Sequence, residues 1–182
     1  DEVKRIVDEV RRLVEKVHRV NEEVVKESED LVREVHRKNK RVLDESERLV
    51  EEVERVLKRD VSDRRKVEEL VEELRRLNEE TRRAVKRSSE ELKRINDETR
   101  RELEDNSRKL KEVLDRVEKE LRKGNGDERV LRTAEEVIRR LEKHSKDLLD
   151  TSRRLAEEIL RKSDDLLRRS KEKIDDLKRK IK

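Results

Sequence analysis

A polar pattern returns every 18 residues inside stripes that should be apolar. Residues 17–32 read VHRVNEEVVKESEDLV and residues 35–50 read VHRKNKRVLDESERLV, so His18, Asn21 and Ser28 recur as His36, Asn39 and Ser46. Further along, Asn78, Thr81 and Ser89 recur as Asn96, Thr99 and Ser107, and Ser145 and Ser152 recur as Ser163 and Ser170. Eighteen residues make five turns of an α-helix, so each residue comes back to the same face. A polar group in a buried stripe is costly unless it is hydrogen-bonded. Recurrence in register on three segments therefore predicts planned layers of buried hydrogen bonds. The period also leaves helices nearly straight, whereas a strict seven-residue repeat would supercoil them.

Charged residues form 57% of the chain and hydrophobic ones 29%, with no aromatic, Pro, Cys or Met. Such a balance can signal disorder. Here the Leu, Val and Ile fall on one face at helical spacing, which argues for long helices instead. The net charge of +4 is the small remainder of 54 basic and 50 acidic residues, interleaved throughout. That is a solvated surface, not a nucleic-acid footprint. Without Cys there is no disulfide framework, thiolate nucleophile or zinc knuckle. No apolar run is long enough to span a membrane and no signal peptide is visible, so the expectation is a soluble chain without targeting information, cytoplasmic if expressed in bacteria.

Two places break the pattern. Around KRDVSD, Asp60 or Ser62 suits a helix N-cap; in Gly124-Asn125-Gly126-Asp127, Gly124 suits a left-handed C-terminal position and Asp127 the next N-cap. The expected fold is all-α: one domain over 1–182, with helices of about 1–58, 62–123 and 127–181 and loops of about 59–61 and 124–126. Short loops make the helices antiparallel neighbours in an up-down-up bundle. Folding back at the loops brings polar residues to four common heights. His18 and Asn21 meet Asn106, Ser107, His144 and Ser145. Ser28 meets Asn96, Thr99, Thr151 and Ser152. His36 and Asn39 meet Ser88, Ser89 and Ser163. Ser46 meets Asn78, Thr81 and Ser170. Apolar residues, among them Val53, Val56, Leu57, Val67, Leu70, Leu177 and Ile181, close the ends.

Doubled apolar positions such as Leu13-Val14 and Leu31-Val32 in helix 1, and Val137-Ile138 and Leu148-Leu149 in helix 3, widen the stripes beyond a coiled-coil seam. Helices 1 and 3 are thus expected to belong to a larger bundle. The groove between them would pack on further helices, from copies of this chain or from a separate partner chain. In such an interface a buried Asn or His admits one register only, trading stability for specificity.

Each sharper reading has a plainer rival. His18, His36 and His144 read first as network members sharing protons with Ser, Thr or Asn. Two imidazoles without a placed third ligand make a poor metal site. A pH switch is the third reading: a neutral buried His stabilises the fold above its unfolded pKa near ~6.5 and loses that contribution as pH falls, giving lower melting or dissociation near pH ~5. A Ser–His hydrolase at His144-Ser145 lacks a strained nucleophile turn and an oxyanion loop, and adjacent helical residues do not face each other. Asp164-Asp165 and Asp175-Asp176 are solvated face. GNGD joins helix to helix and matches no phosphate-binding loop. Mixed charge without Trp or Phe suits helix packing better than a membrane surface. No catalytic residue, metal, cofactor, nucleic acid, membrane or small molecule is expected.

The 18-residue module, the Leu/Ile/Val core, the Asn/Ser/Thr/His layers, the Glu/Lys/Arg surface and the GNGD loop together resemble de novo designed helical bundles with buried hydrogen-bond networks. That family includes homo-oligomers, heterodimers split between chains, and switchable cages with a displaceable helix. The resemblance implies a non-catalytic structural or interaction scaffold whose layers specify register and self-assembly or partner pairing. The alternatives are a closed monomeric three-helix rod and a pH-responsive or helix-binding switch. A natural membrane-curving three-helix dimer is disfavoured by the missing aromatics and the lack of a one-sided basic face.

Overall fold

The computed structural model describes residues 2–57, 64–124 and 128–181. The expected caps Asp60, Ser62 and Asp127 lie outside the described residues, as do the side chains of Val56, Leu57, Val67, Leu70, Leu177 and Ile181. Three α-helices account for the fold: α1 (Glu2–Leu57), α2 (Arg64–Arg122) and α3 (Glu128–Ile181). They pack on one another as an all-α three-helix bundle, and the described residues include no strand.

The helices are long because nothing interrupts them. Neither Gly nor Pro occurs inside any of the three, and Leu, Glu, Lys and Arg are good helix formers. Glu precedes its cationic partner by four residues at Glu34–Lys38, Glu136–Arg140, Glu142–Lys146 and Glu158–Lys162. That order agrees with the helix dipole and adds roughly 0.2–0.5 kcal/mol per pair. α2 stops at Gly124, whose φ of 76° lies in the left-handed region. Its N–H donates to the Leu121 carbonyl at 3.2 Å and the Lys123 N–H to the Lys119 carbonyl at 3.2 Å, satisfying acceptors that the helix end would otherwise leave open. Lys119 and Arg122 in the last turn complement the negative end of the dipole.

The chain divides into two compact units, each taking one segment from every helix. The first comprises Asp1–Leu31 and Arg94–Arg153. Its main core gathers Ile6, Val10, Val14 and Val17 of α1, Leu110, Val117 and Leu121 of α2, and Leu131, Ala134 and Ile138 of α3. A smaller cluster joins Val24, Leu103 and Leu149. The second unit comprises Val32–Lys93 and Arg154–Lys182, with Val53, Val71, Leu74 and Ile174 in contact. Each fully buried Leu, Ile or Val stabilises its unit by roughly 1.5–3 kcal/mol relative to exposure.

The doubled apolar positions have a local explanation. Val7 and Leu13 are half-buried against the main core of the first unit, Val20, Val25, Leu31 and Leu148 against its smaller cluster, and Leu49 and Val50 against the core of the second. Each flank is covered in part by the chain's own neighbouring helix. Among the described residues Val3 is the exposed large hydrophobic, at 37%.

Candidate functional site

The polar residues that the repeat singles out converge at four levels, two in each unit. In the first unit the Ser145 hydroxyl lies 2.5 Å from Asn21 Oδ1 and 3.1 Å from the carbonyl of Leu141, so its single proton serves two acceptors. Asn106 Nδ2 donates to Ser145 Oγ at 3.2 Å and to the Leu141 carbonyl at 3.3 Å. One Ser thus ties α1, α2 and α3 together. Asn21 Nδ2, however, is buried without a partner. The next level has Ser28 donating to Asn96 Oδ1 at 2.6 Å; Thr99 and Ser152 of the same unit are also buried, Ser152 Oγ without a partner.

The second unit repeats the plan. Ser163 donates to Asn39 Oδ1 at 2.8 Å, and Asn39 Nδ2 donates to Ser89 Oγ at 3.3 Å, again linking the three helices. Below it Ser46 donates to Asn78 Oδ1, while Thr81 and Ser170 turn their hydroxyls to the carbonyls of Leu77 and Leu166 at 2.8 and 3.1 Å.

The spacing of these bonds shows the module directly. Asn21–Ser145 and Asn39–Ser163 join the parallel helices α1 and α3 at the same sequence separation, 124 residues. Ser28–Asn96 and Ser46–Asn78 join antiparallel α1 and α2, and their separation drops from 68 to 32 residues. That is one 18-residue step on each helix, taken in opposite directions. The surface follows the same rule: Arg11–Glu118, Glu29–Arg100 and Glu47–Arg82 are separated by 107, 71 and 35 residues. The first of these ion pairs carries its charges in reverse.

Eleven expected network members are buried: Asn21, Ser28, Asn39, Ser46, Thr81, Thr99, Asn106, Ser145, Ser152, Ser163 and Ser170. His18, Asn78, Ser88, Ser89, Asn96 and Ser107 are half-buried at the edges of the layers. Three expectations need correction, because His36, His144 and Thr151 are exposed. His36 precedes Asn39 by three residues, which turns it about 60° from the buried Asn face. His144 and Thr151 each precede a buried Ser by one residue, a turn of about 100°. His144 Nε2 meets Glu102 Oε2 at 3.1 Å on the surface, and Thr151 Oγ1 donates to its own helix at the Asp147 carbonyl, 3.0 Å away. The burial on which a histidine switch depends is therefore missing at His36 and His144.

Sequence reasoning missed one feature. In the first unit an apolar groove of about 240 Å³ runs between α2 and α3, floored by Val113, Val117, Val130, Ala134 and Val137. Its signal is side-chain size: where the repeat returns, Leu148 and Leu155 stand in place of Val130 and Val137. The smaller residues leave the space open. Among the described residues no group of three or more His, Cys, Asp or Glu could hold a metal ion. Nor is any helix long and apolar enough there to cross a membrane. No protein-family model matches the sequence, and no curated protein matches it.

Proposed function

We propose that this chain is a non-catalytic, designed helical scaffold whose buried Asn, Ser and Thr layers fix how helices register against one another. The observation that carries the reading is the pair of three-helix junctions, Asn21–Ser145 and Asn39–Ser163, at an identical separation of 124 residues. Each junction needs its donor and acceptor within hydrogen-bond range, so a slide of one residue along any helix breaks it. Apolar layers of Leu and Val tolerate such slides.

The arrangement of Ser145 and His144 supports the absence of catalysis. The Ser145 hydroxyl is spent on Asn21 and Leu141, and the adjacent imidazole points to Glu102 instead. An activated nucleophile needs a base within reach of its own proton. Assembly with copies of the chain or with a partner helix is the second reading. It is favoured by the half-buried Leu and Val flanks along α1 and α3, which further helices could cover.

Light scattering with refractive-index detection tests both. If the layers specify one state, the parent elutes as one species, at 22.1 kDa for a closed single chain or at an integral multiple for an assembly. Replacing Asn21 and Asn39 together by Leu is expected to raise the melting temperature and broaden the mass distribution. A variant that stays a single species of unchanged mass would overturn the specificity role.

A further inference from the structure

We propose that residues 160–176 of α3 form a strap that lifts off the second unit as one body while α1 and α2 stay paired beneath it. A register-fixing scaffold does not require such a motion. Its origin is the spacing of buried apolar side chains, which carry most of the free energy that holds a helix to its neighbours. Ile159 and Ile174 are buried, and between them the buried positions of α3 are Ser163 and Ser170. Leu160, Leu166 and Leu167 are half-buried there. That leaves about four turns of α3 without a fully buried apolar residue, against about three at most elsewhere in the described helices.

The polar ties do not make up the difference. Ser163 donates to Asn39, but the Ser170 hydroxyl turns to the Leu166 carbonyl of its own helix. The ion pair Lys173–Glu73 is about half exposed on both sides, so water screens it. In the first unit α3 is held otherwise: Leu131, Ala134 and Ile138 enter the main core, and Ser145 is bonded to both α1 and α2. Beneath the strap, Asn39–Ser89, Ser46–Asn78, Glu47–Arg82 and Glu54–Arg75 join α1 to α2 without help from α3. Lifting the strap therefore frees the Asn39 Oδ1 acceptor and uncovers Val53, Val71 and Leu74 where Ile174 packs on them.

Native-state hydrogen exchange of the full chain, read by NMR in low guanidinium, tests this. Amides of 160–176 are expected to share one opening free energy and one denaturant slope. They should exchange at least about tenfold faster than those of 131–152, and faster than α1 and α2 of the second unit. Ser170→Val places methyl groups where the hydroxyl serves only its own helix, and should slow the strap about tenfold while 131–152 stays unchanged. Ser163→Ala removes the tie to Asn39 and should quicken the strap about fivefold. A smooth gradient of protection rising from the C-terminus would mean simple fraying and overturn the proposal. So would strap amides as slow as those of 131–152, or variants that shift both halves of α3 alike.

Discussion

The Asn21 layer of the first unit and the Asn39 layer of the second are nearly the same object, yet one closes its hydrogen bonds and the other does not. Both place Asn on α1, Ser on α3 and a half-buried Ser on α2, namely Ser107 and Ser89. In the second unit Asn39 uses both ends of its amide, accepting from Ser163 and donating to Ser89. In the first, Asn21 accepts from Ser145 but its Nδ2 is orphaned. The polar residue that differs is the neighbour on α2: Asn106 in one layer, Ser88 in the other. Asn106 is buried and claims Ser145, whereas Ser88 stays at the edge. A second amide thus adds bonds without completing the layer. What matters in a buried network is whether every donor finds an acceptor, and a leftover donor costs about 1–3 kcal/mol.

The largest effects should come from the apolar layers flanking these networks. Leu110 in the first unit and Leu92 in the second occupy the same position in the module, 0% and 2% exposed. Truncating Leu110 to Ala opens a cavity in the ten-residue core and should cost about 3–4 kcal/mol. Leu92→Ala, at the equivalent and equally buried position, should cost a similar amount. Guanidinium denaturation followed at 222 nm measures both. Equal losses would show that the two units pack alike despite their different polar content.

Substituting the two Asn residues sharpens the contrast. Asn21→Leu removes an orphaned donor and leaves Ser145 its bond to Leu141, so it should stabilise by about 1–2 kcal/mol. Asn39→Leu breaks a completed chain and takes from Ser163 the Oδ1 acceptor it uses, so its gain should be smaller by about 1 kcal/mol. If Asn39→Leu proves the more stabilising, the incomplete layer is not the weaker one. The reciprocal exchange comes next in size. Asn106→Ser makes the first layer a copy of the second and should stabilise by about 1 kcal/mol, while Ser88→Asn should destabilise by a similar amount. Thermal melts of the two variants moving in the same direction would refute the account of position 106.

Much of this was legible in the sequence. Helices expected at about 1–58, 62–123 and 127–181 are found at Glu2–Leu57, Arg64–Arg122 and Glu128–Ile181, because a period of 3.6 and two breaks leave little freedom. The Asn and Ser levels follow from folding back at short loops. His36, His144 and Thr151 were misplaced for a physical reason. Recurrence after 18 residues shows that a position is repeated, not that it is buried, and surface pairs such as Glu29–Arg100 and Glu47–Arg82 recur just as faithfully. The groove was hidden because Val and Leu look alike to any hydrophobic pattern, although they fill space differently. Which amide atom goes unpaired depends on side-chain geometry that no spacing rule encodes.

The smallest effect concerns the reversed ion pair. Arg11–Glu118 in the first unit and Glu47–Arg82 in the second hold equivalent places between α1 and α2 with opposite polarity. Their side chains are 29–52% exposed, so each pair is screened by water and contributes at most about 0.2–1 kcal/mol. Arg11→Glu alone sets two carboxylates together and should lower stability by about 0.5 kcal/mol at low salt. Adding Glu118→Arg recreates the polarity that the second unit uses and should restore it. The deficit of the single variant should also shrink toward zero in ~1 M salt, where the screening length falls to ~3 Å. A deficit that survives high salt, or a double variant no better than the single one, would mean that Arg11 acts through its aliphatic stem packed on the helix surface. In that case the reversal of charge would be irrelevant to how α1 meets α2.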